Sequence, residues 1–335
     1  MWLRYLAGSL AGLAFALSVG GATRPHYGGA LRVELHAPFE SSDPPQSSPG
    51  MVDLSRGFSM NVWEGGRRAV FTADDNAPGG RPFLDSVEIQ LGRPFREQAL
   101  DLETGKADLV ELGSNEIRRA PAGRKTWSSQ PVRIIALAFN PRMEDARIRE
   151  ALALAVDRAT IWSVLLQRQG EPSAALLPQW LSGYAFLFPT SADLPRARSL
   201  AAGGRPLTLG VTEPALRTIA DRILLNARDA GIALTIAPPG ANADVRLMEA
   251  RVPSTDAARS LAALSAAFGL PEPPHADTPE AIYLAERALL EEHRVIPLVH
   301  LPDVYGVAPR VRGGPGITPL GEWRFGDLWI EAPRP

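Results

Sequence analysis

Histidine, the side chain most often used as a general base or metal ligand near neutral pH, occurs five times in 335 residues, at His26, His36, His275, His293 and His300. No pair has HExxH or His-x-His spacing. His300 stands inside the apolar run VIPLVHL (295–301), where a hydrogen-bonded structural histidine is expected in preference to a base. Cysteine is absent, which removes disulfides, thiol nucleophiles, iron–sulfur clusters, thiolate zinc sites and a lipid-anchored N-terminal cysteine. There is no G-x-S-x-G elbow, Walker A loop or G-x-G-x-x-G fingerprint. The run Gly313, Gly314, Pro315, Gly316 lacks the strand-then-helix context of a phosphate loop and reads as a turn. Asp74, Asp75 and Asn76 suggest calcium, but the following residues lack the glycine and glutamate of an EF-hand loop, so a solvated turn is expected. Nothing here assembles a nucleophile with its base, a paired acid and base, or a metal cluster. The expectation is a binding protein and not an enzyme, with no cofactor and no metal; an exported hydrolase built on unplaced Ser, His and Asp has no motif behind it.

Binding chemistry is better represented. Trp180, Tyr184, Phe186 and Phe188 gather in a non-periodic stretch punctuated by Pro and Gly, which fits an exposed cleft loop and fits local core packing equally well. Trp180 and Tyr184 are therefore candidate ligand contacts. The 35 basic and 37 acidic residues leave a formal charge of -2, so there is no basic surplus for nucleic acid. With 45% hydrophobic residues and this length, the chain can bury a real core, and two lobes are expected.

The elements that must position these residues follow from periodicity and punctuation. Residues 30–36 (ALRVELH) and 85–91 (DSVEIQL) alternate as strands, and 58–71 reads as strand, turn at Glu64, Gly65 and Gly66, and strand. Residues 40–50 and 74–82 are loops rich in Pro, Ser, Gly and Asp. Pro94 opens a helix that Gly105 stops before a strand at 107–112, and 132–139 (VRIIALAF) is a buried strand ending at Asn140 and Pro141. Ile148, Leu152, Ala155, Ile161 and Leu165 give 145–169 helical spacing, with Asp157 placed to cap a second segment. Residues 206–211, 214–230 and 232–237 form a βαβ unit, 244–249 a further strand, 256–268 and 279–293 helices, and 295–301 and 305–307 closing strands. The class is α/β.

Export is read from the N-terminus, where Arg4 precedes an apolar run at 6–19 and the small residues Gly20, Gly21 and Ala22. A signal peptide over 1–22 is expected, with an uncleaved anchor as the alternative; either puts the protein in the periplasm.

Several segments in order resemble the family 5 extracellular solute-binding proteins, the peptide-, nickel- and oligosaccharide-binding components of ATP-driven (ABC) importers. They are Gly28 to Val33 with Ser41, Ser42, Asp43 and Pro44; Arg81, Pro82, Phe83, Leu84 and Asp85; the stretch LETGKADL at 102–109; and 286–297 leading into His300 and Tyr305. The most specific is Phe139 and Asn140, then Asp145 to Leu152 (DARIREAL), then Ala155, Val156, Asp157 and Arg158. The resemblance implies a two-lobed periplasmic binding protein-like (type II) fold with mixed sheets flanked by helices. Lobe one would be 28–137 plus 302–335 and lobe two 138–301, and the domain that relatives insert after the first strand would be missing between Pro44 and Phe58. It implies a small solute, a peptide first of all, held between the lobes of a monomer for an ABC transporter permease. The family's acidic amine ligand maps onto Asp256, with Arg251 beside it, although Asp256 also reads as a helix N-cap. A degenerate homologue acting as an interaction or scaffold protein is the second reading.

Overall fold

The computed structural model describes residues 24–36, 54, 57–119, 123–182 and 189–331. The expected signal segment 1–22, the Ser/Pro-rich loop at 40–50, and Tyr184, Phe186 and Phe188 lie outside the described residues. No helix among the described residues is long and apolar enough to cross a membrane.

Two strands organise the molecule: β6 (Thr126–Phe139) and β11 (Val295–Val307), paired antiparallel from Ala138 opposite Val295 to Thr126 opposite Gly306. Both are longer than their apolar runs suggest. The sequence segments 295–301 and 305–307 join into one strand because the ladder accommodates Pro302 by shifting register on each side of it. On one side of this pair lies β5 (Leu109–Glu111), then β1 (Ala30–Glu34), β4 (Ser86–Gln90), β3 (Arg68–Ala73) and β2 (Phe58–Glu64). On the other lie β10 (Val245–Arg251), β8 (Leu207–Val211) and β9 (Leu234–Ile236), while the short β7 (Glu171–Pro172) adds to β11. A separate pair, β12 (Val311–Arg312) and β13 (Trp329–Ile330), follows. Only residues 35–57 link β1 to β2, too few for a domain with its own core.

Helices cover this mixed sheet. The chain order is α1 (Phe95–Glu103), α2 (Ser114–Arg119), α3 (Ala146–Ala155), α4 (Arg158–Thr160), α5 (Gln179–Ser182), α6 (Leu194–Ala201), α7 (Arg217–Asp229), α8 (Ala257–Ala267) and α9 (Pro279–Leu290). The helical pattern over 145–169 breaks at Val156, whose backbone is extended; Asp157 then caps α4, and a single π-turn follows at Ile161–Leu165. Three helices escape sequence reading: α5 is a single turn of 4 residues. α2 has no buried residue to create a periodicity, and α6 spans only 8 residues behind Asp193.

The apolar residues separate into three packed groups. Leu31, Val33, Val87, Ile89, Leu109, Trp127, Tyr305 and Trp323 belong to one. Beyond Trp127, alternate residues of β6 serve the two others: Ile135, Leu137 and Phe139 pack with α3, α6 and α7, and Val132, Ile134 and Ala136 pack with α8 and α9. The strand therefore leaves one core and enters two others between Trp127 and Val132. Around that crossing, Trp180 Nε1 donates to the Pro131 carbonyl (2.8 Å) and Gln130 N donates to the Pro319 carbonyl (3.0 Å).

Candidate ligand-binding cleft

Where β6 and β11 change cores they leave a cleft of about 780 Å³, within the range of small-molecule sites. Its floor carries charge. Arg133 of β6 and Arg251 of β10 are directly opposite in the antiparallel ladder, a like-charge pairing that is unfavourable unless a carboxylate intervenes. Asp303 of β11 intervenes: Arg133 Nε lies 3.2 Å from Oδ1, and Arg251 Nη2 donates to Oδ2 at 2.6 Å. Glu249 accepts from Arg133 Nη1 at 3.3 Å, and Arg251 also donates to the Leu320 carbonyl at 2.5 Å. Burial pulls the Arg133 guanidinium down, but Glu249, Asp303 and Glu111 outweigh it and hold the group above its ordinary range. Burial raises the Glu249 carboxyl, and Arg133 offsets part of that rise.

One wall comes from the first core. Glu111 ends β5 directly opposite Tyr305, and its Oε2 accepts the His36 backbone N–H at 2.5 Å. The His36 ring stacks on Phe95 with centroids 4.1 Å apart. Trp323 is 1% exposed, meets Tyr305 edge-on at 6.4 Å and stacks on Phe325 at 5.0 Å. Burial, with Asp303 and Glu111 nearby, pushes the Tyr305 phenol up, so it is a neutral donor at physiological pH.

The other wall is largely aliphatic. Val164, Leu165, Leu166 and Gln167 come from the π-turn and its exit, Glu213, Ala215 and Leu216 from the turn that leads into α7, and Ile219 from the first turn of α7. The exit is backbone-strained: Gln167 and Arg168 both have left-handed φ, 54° and 62°. Gly170 is left-handed as well, and a Cβ there would collide with the His300 carbonyl. Trp162 Nε1 donates to the Gly170 carbonyl at 3.0 Å, closing the segment on itself, and β7 just beyond it pairs with β11.

The model of the bacterial extracellular solute-binding proteins, family 5 Middle, matches residues 55–246, more than half of the chain. The chain belongs to this family. Among curated proteins it is similar to the oligopeptide-binding protein AppA of Bacillus subtilis (strain 168), 24% identical over 144 residues that make up 42% of this chain and 26% of that protein. The fold matches B. subtilis AppA solved with a nonapeptide (TM-score 0.62, 15% identity, 82% of this chain and 66% of that one). It also matches Staphylococcus aureus NikA solved with Ni(L-His)2 (TM-score 0.67, 16% identity, 82% and 68%). The mixed sheet flanked by helices is thus the type II binding-protein fold, in a chain shorter than those relatives and without the domain inserted after the first strand.

Of the four residues singled out from sequence, this family 5 chain brings one to the cleft. Arg251 lines it, although its guanidinium is occupied by Asp303 and Leu320. Asp256 is exposed and caps α8, accepting the Arg259 N–H at 2.9 Å, and does not line the cleft. Trp180 packs on the core beneath α8 and α9 with its N–H on Pro131, also away from the cleft walls. Tyr184 lies outside the described residues. His300 is fully buried, donates from Nε2 to the Leu176 carbonyl at 2.9 Å, and is held near pKa 4 by burial. The residues that sequence reading passed over are Glu111, Arg133, Glu249, Asp303, Tyr305 and Trp323. One signal was present: Arg133 and Glu249 are charges inside otherwise strand-like runs, where burial demands a partner.

Proposed function

We propose that this family 5 protein is an extracytoplasmic, non-enzymatic binding protein that captures a small solute, first of all a short peptide, in the cleft and presents it to an ABC transporter permease. Lobe one would comprise about 28–137 plus 302–335 and lobe two 138–301, with the crossover at Pro131, a few residues inside the first bound, and at Pro302, on the second. Export through residues 1–22 and a monomeric state complete the reading. The observation that carries it is the placement of the cleft where both long strands change cores, with walls drawn from each.

A ligand that touches both walls stabilises the arrangement in which they face each other, and only that differential contact drives closure. The test is a thermal-shift screen of the purified protein against di- to pentapeptides, nickel chelates and short oligosaccharides. Ligand that binds only the folded state raises Tm by mass action, so a selective rise is expected with one class. A flat response across the panel would overturn the reading.

A further inference from the structure

The β6–β11 pair is not the only connection across the crossing. Between β12 and β13 the chain forms a hairpin around the residues TPLGE (318–322). Ile317 bridges Trp323 antiparallel, Thr318 N donates to the Glu322 carbonyl at 2.7 Å, and Gly321 N donates to the Thr318 carbonyl at 2.9 Å. Pro319 at the second position and Gly321 at the fourth are the residues that such a turn favours. The base of the hairpin belongs to the first core, where Ile317 and Trp323 are buried. Its tip does not. The Leu320 side chain packs against the group that holds Val132, Ile134 and Val252, and the Leu320 carbonyl accepts from Arg251 Nη2 at 2.5 Å. The same Nη2 reaches Asp303 Oδ2 at 2.6 Å, and the Pro319 carbonyl takes the Gln130 N–H at 3.0 Å. Gly321 allows this approach: its φ is +80°, and a Cβ there would fall on Asp303 Oδ2 and Arg251 Nη2.

We propose that the hairpin Ile317–Trp323 is a latch across the cleft floor, with Leu320 and Gly321 as positioning residues that hold the two walls at one separation before any solute arrives. Two adjacent strands alone make a hinge with no stop. A third attachment, an apolar side chain seated in the far core and a carbonyl on a guanidinium, restricts the hinge to states in which the tip still reaches β10. Gly321 and Trp323 also line the cleft, so latch and binding surface are one segment. The latch presupposes the two-lobed reading, with the cleft between the lobes. Holding the empty protein near the binding-competent arrangement removes part of the population penalty on affinity, so a loosened latch weakens every solute by a similar factor and not one class alone.

The chain has no cysteine, so Arg118→Cys on α2 and Thr218→Cys on α7 place spin labels on the two walls of the full-length protein with no competing site. Pulsed electron resonance on the ligand-free protein is expected to give one narrow distance distribution. Gly321→Ala forces the tip off the Arg251–Asp303 pair, and is expected to raise the share of longer distances about fivefold or more while far-UV circular dichroism stays unchanged. Should Gly321→Ala fail to fold, Leu320→Ala leaves the backbone unstrained and is expected to shift the distribution in the same direction. An unchanged distribution in Leu320→Ala or in a folded Gly321→Ala, or a broad one already present in the parent, overturns the latch. None of these results touches the cleft as the ligand site, which the thermal-shift panel decides by itself. A flat panel beside a distance that depends on Gly321 overturns the binding reading and leaves the latch standing.

Discussion

The two walls of the cleft are finished to different degrees. On the wall that includes α7 and the π-turn, contacts are aliphatic, and the charge on the adjoining floor is already consumed: Arg133 by Glu249 and Asp303, Arg251 by Asp303 and Leu320. On the opposite wall, among the described residues, Glu111 makes no ion pair and the buried Trp323 N–H has only a weak contact with the Tyr305 hydroxyl. Groups satisfied within the protein contribute to its stability, and groups left unsatisfied are free to contribute to recognition. The contrast separates enclosure from specificity, and substitutions on the two sides are expected to fail in different measurements.

The largest effect is expected at Gly170. Alanine there meets both a left-handed backbone and the His300 carbonyl, so Gly170→Ala is expected to destabilise by about 3 kcal/mol in denaturant unfolding. A near-neutral result would show that the π-turn segment is not fastened to β11, and the enclosing wall would lose its fixed position. Arg133→Met comes next. It strands Glu249 and, in part, Asp303, and after allowance for partial exposure the expected cost is roughly 2 kcal/mol. Much of that cost should be recovered by adding Glu249→Gln, a double-mutant comparison that fails if the floor charges are exposed to water.

On the other face of the sheet, in the core under α8 and α9, lies a pH test of comparable size. Glu286 is fully buried, its Oε1 accepts the Leu176 and Leu177 N–H groups at 2.6 and 2.8 Å, and burial raises its pKa to about 7 despite them. Because the folded value lies above the unfolded 4.5, stability is highest below the unfolded value and is lost as pH rises from about 4.5 to 7. Buried His300, lowered to about 4 from 6.5, gives the opposite slope, with stability lost as pH falls through that window. The two mask each other in the wild type, so the readout is the difference: Glu286→Gln should gain on wild type by about 2 kcal/mol between pH 4.5 and 7. A constant difference would mean that Glu286 is ionised throughout.

On the cleft wall that holds Trp323, affinity is expected to fall along with stability. Trp323→Phe keeps a ring in the core but loses volume and the N–H beside the Tyr305 hydroxyl, so a stability loss of about 1 kcal/mol in denaturant unfolding is expected together with a fall in ligand affinity of about 1 kcal/mol. Lost stability with unchanged affinity would erase the contrast between the walls. Asp256→Ala gives the smallest effect: loss of an exposed N-cap, about 1 kcal/mol or less of stability, with ligand affinity unchanged in titration.

Much of the fold was legible because its signals are local. The βαβ unit of β8, α7 and β9 is written in alternation, a three-to-four spacing and Gly231 at the stop, and the segment DARIREAL with its Asp145 cap carried the family. The cleft was less legible because its meaning lies in pairings across the chain. Arg133 acquires its partners only when β10 and β11 fall on either side of β6, bringing together residues more than 100 positions apart. Trp323 sits in an irregular segment with no period to expose it. Asp256 shows the converse: its local capping chemistry was readable, whereas the amine-binding role was implied only by the resemblance to the family, and Asp256 does not line the cleft.

The register shifts in the β6–β11 ladder, confined to the stretch from Pro297 to Val304, have a mechanical consequence. Elsewhere the ladder is regular and stiff, so bending between the cores concentrates in these few residues, where hydrogen bonds are already skipped. The molecule then behaves as a clip with a single compliant section. Because Leu301, Pro302, Asp303 and Val304 of that section also line the cleft, changes there are expected to alter how fast a solute enters and leaves as well as how tightly it is held.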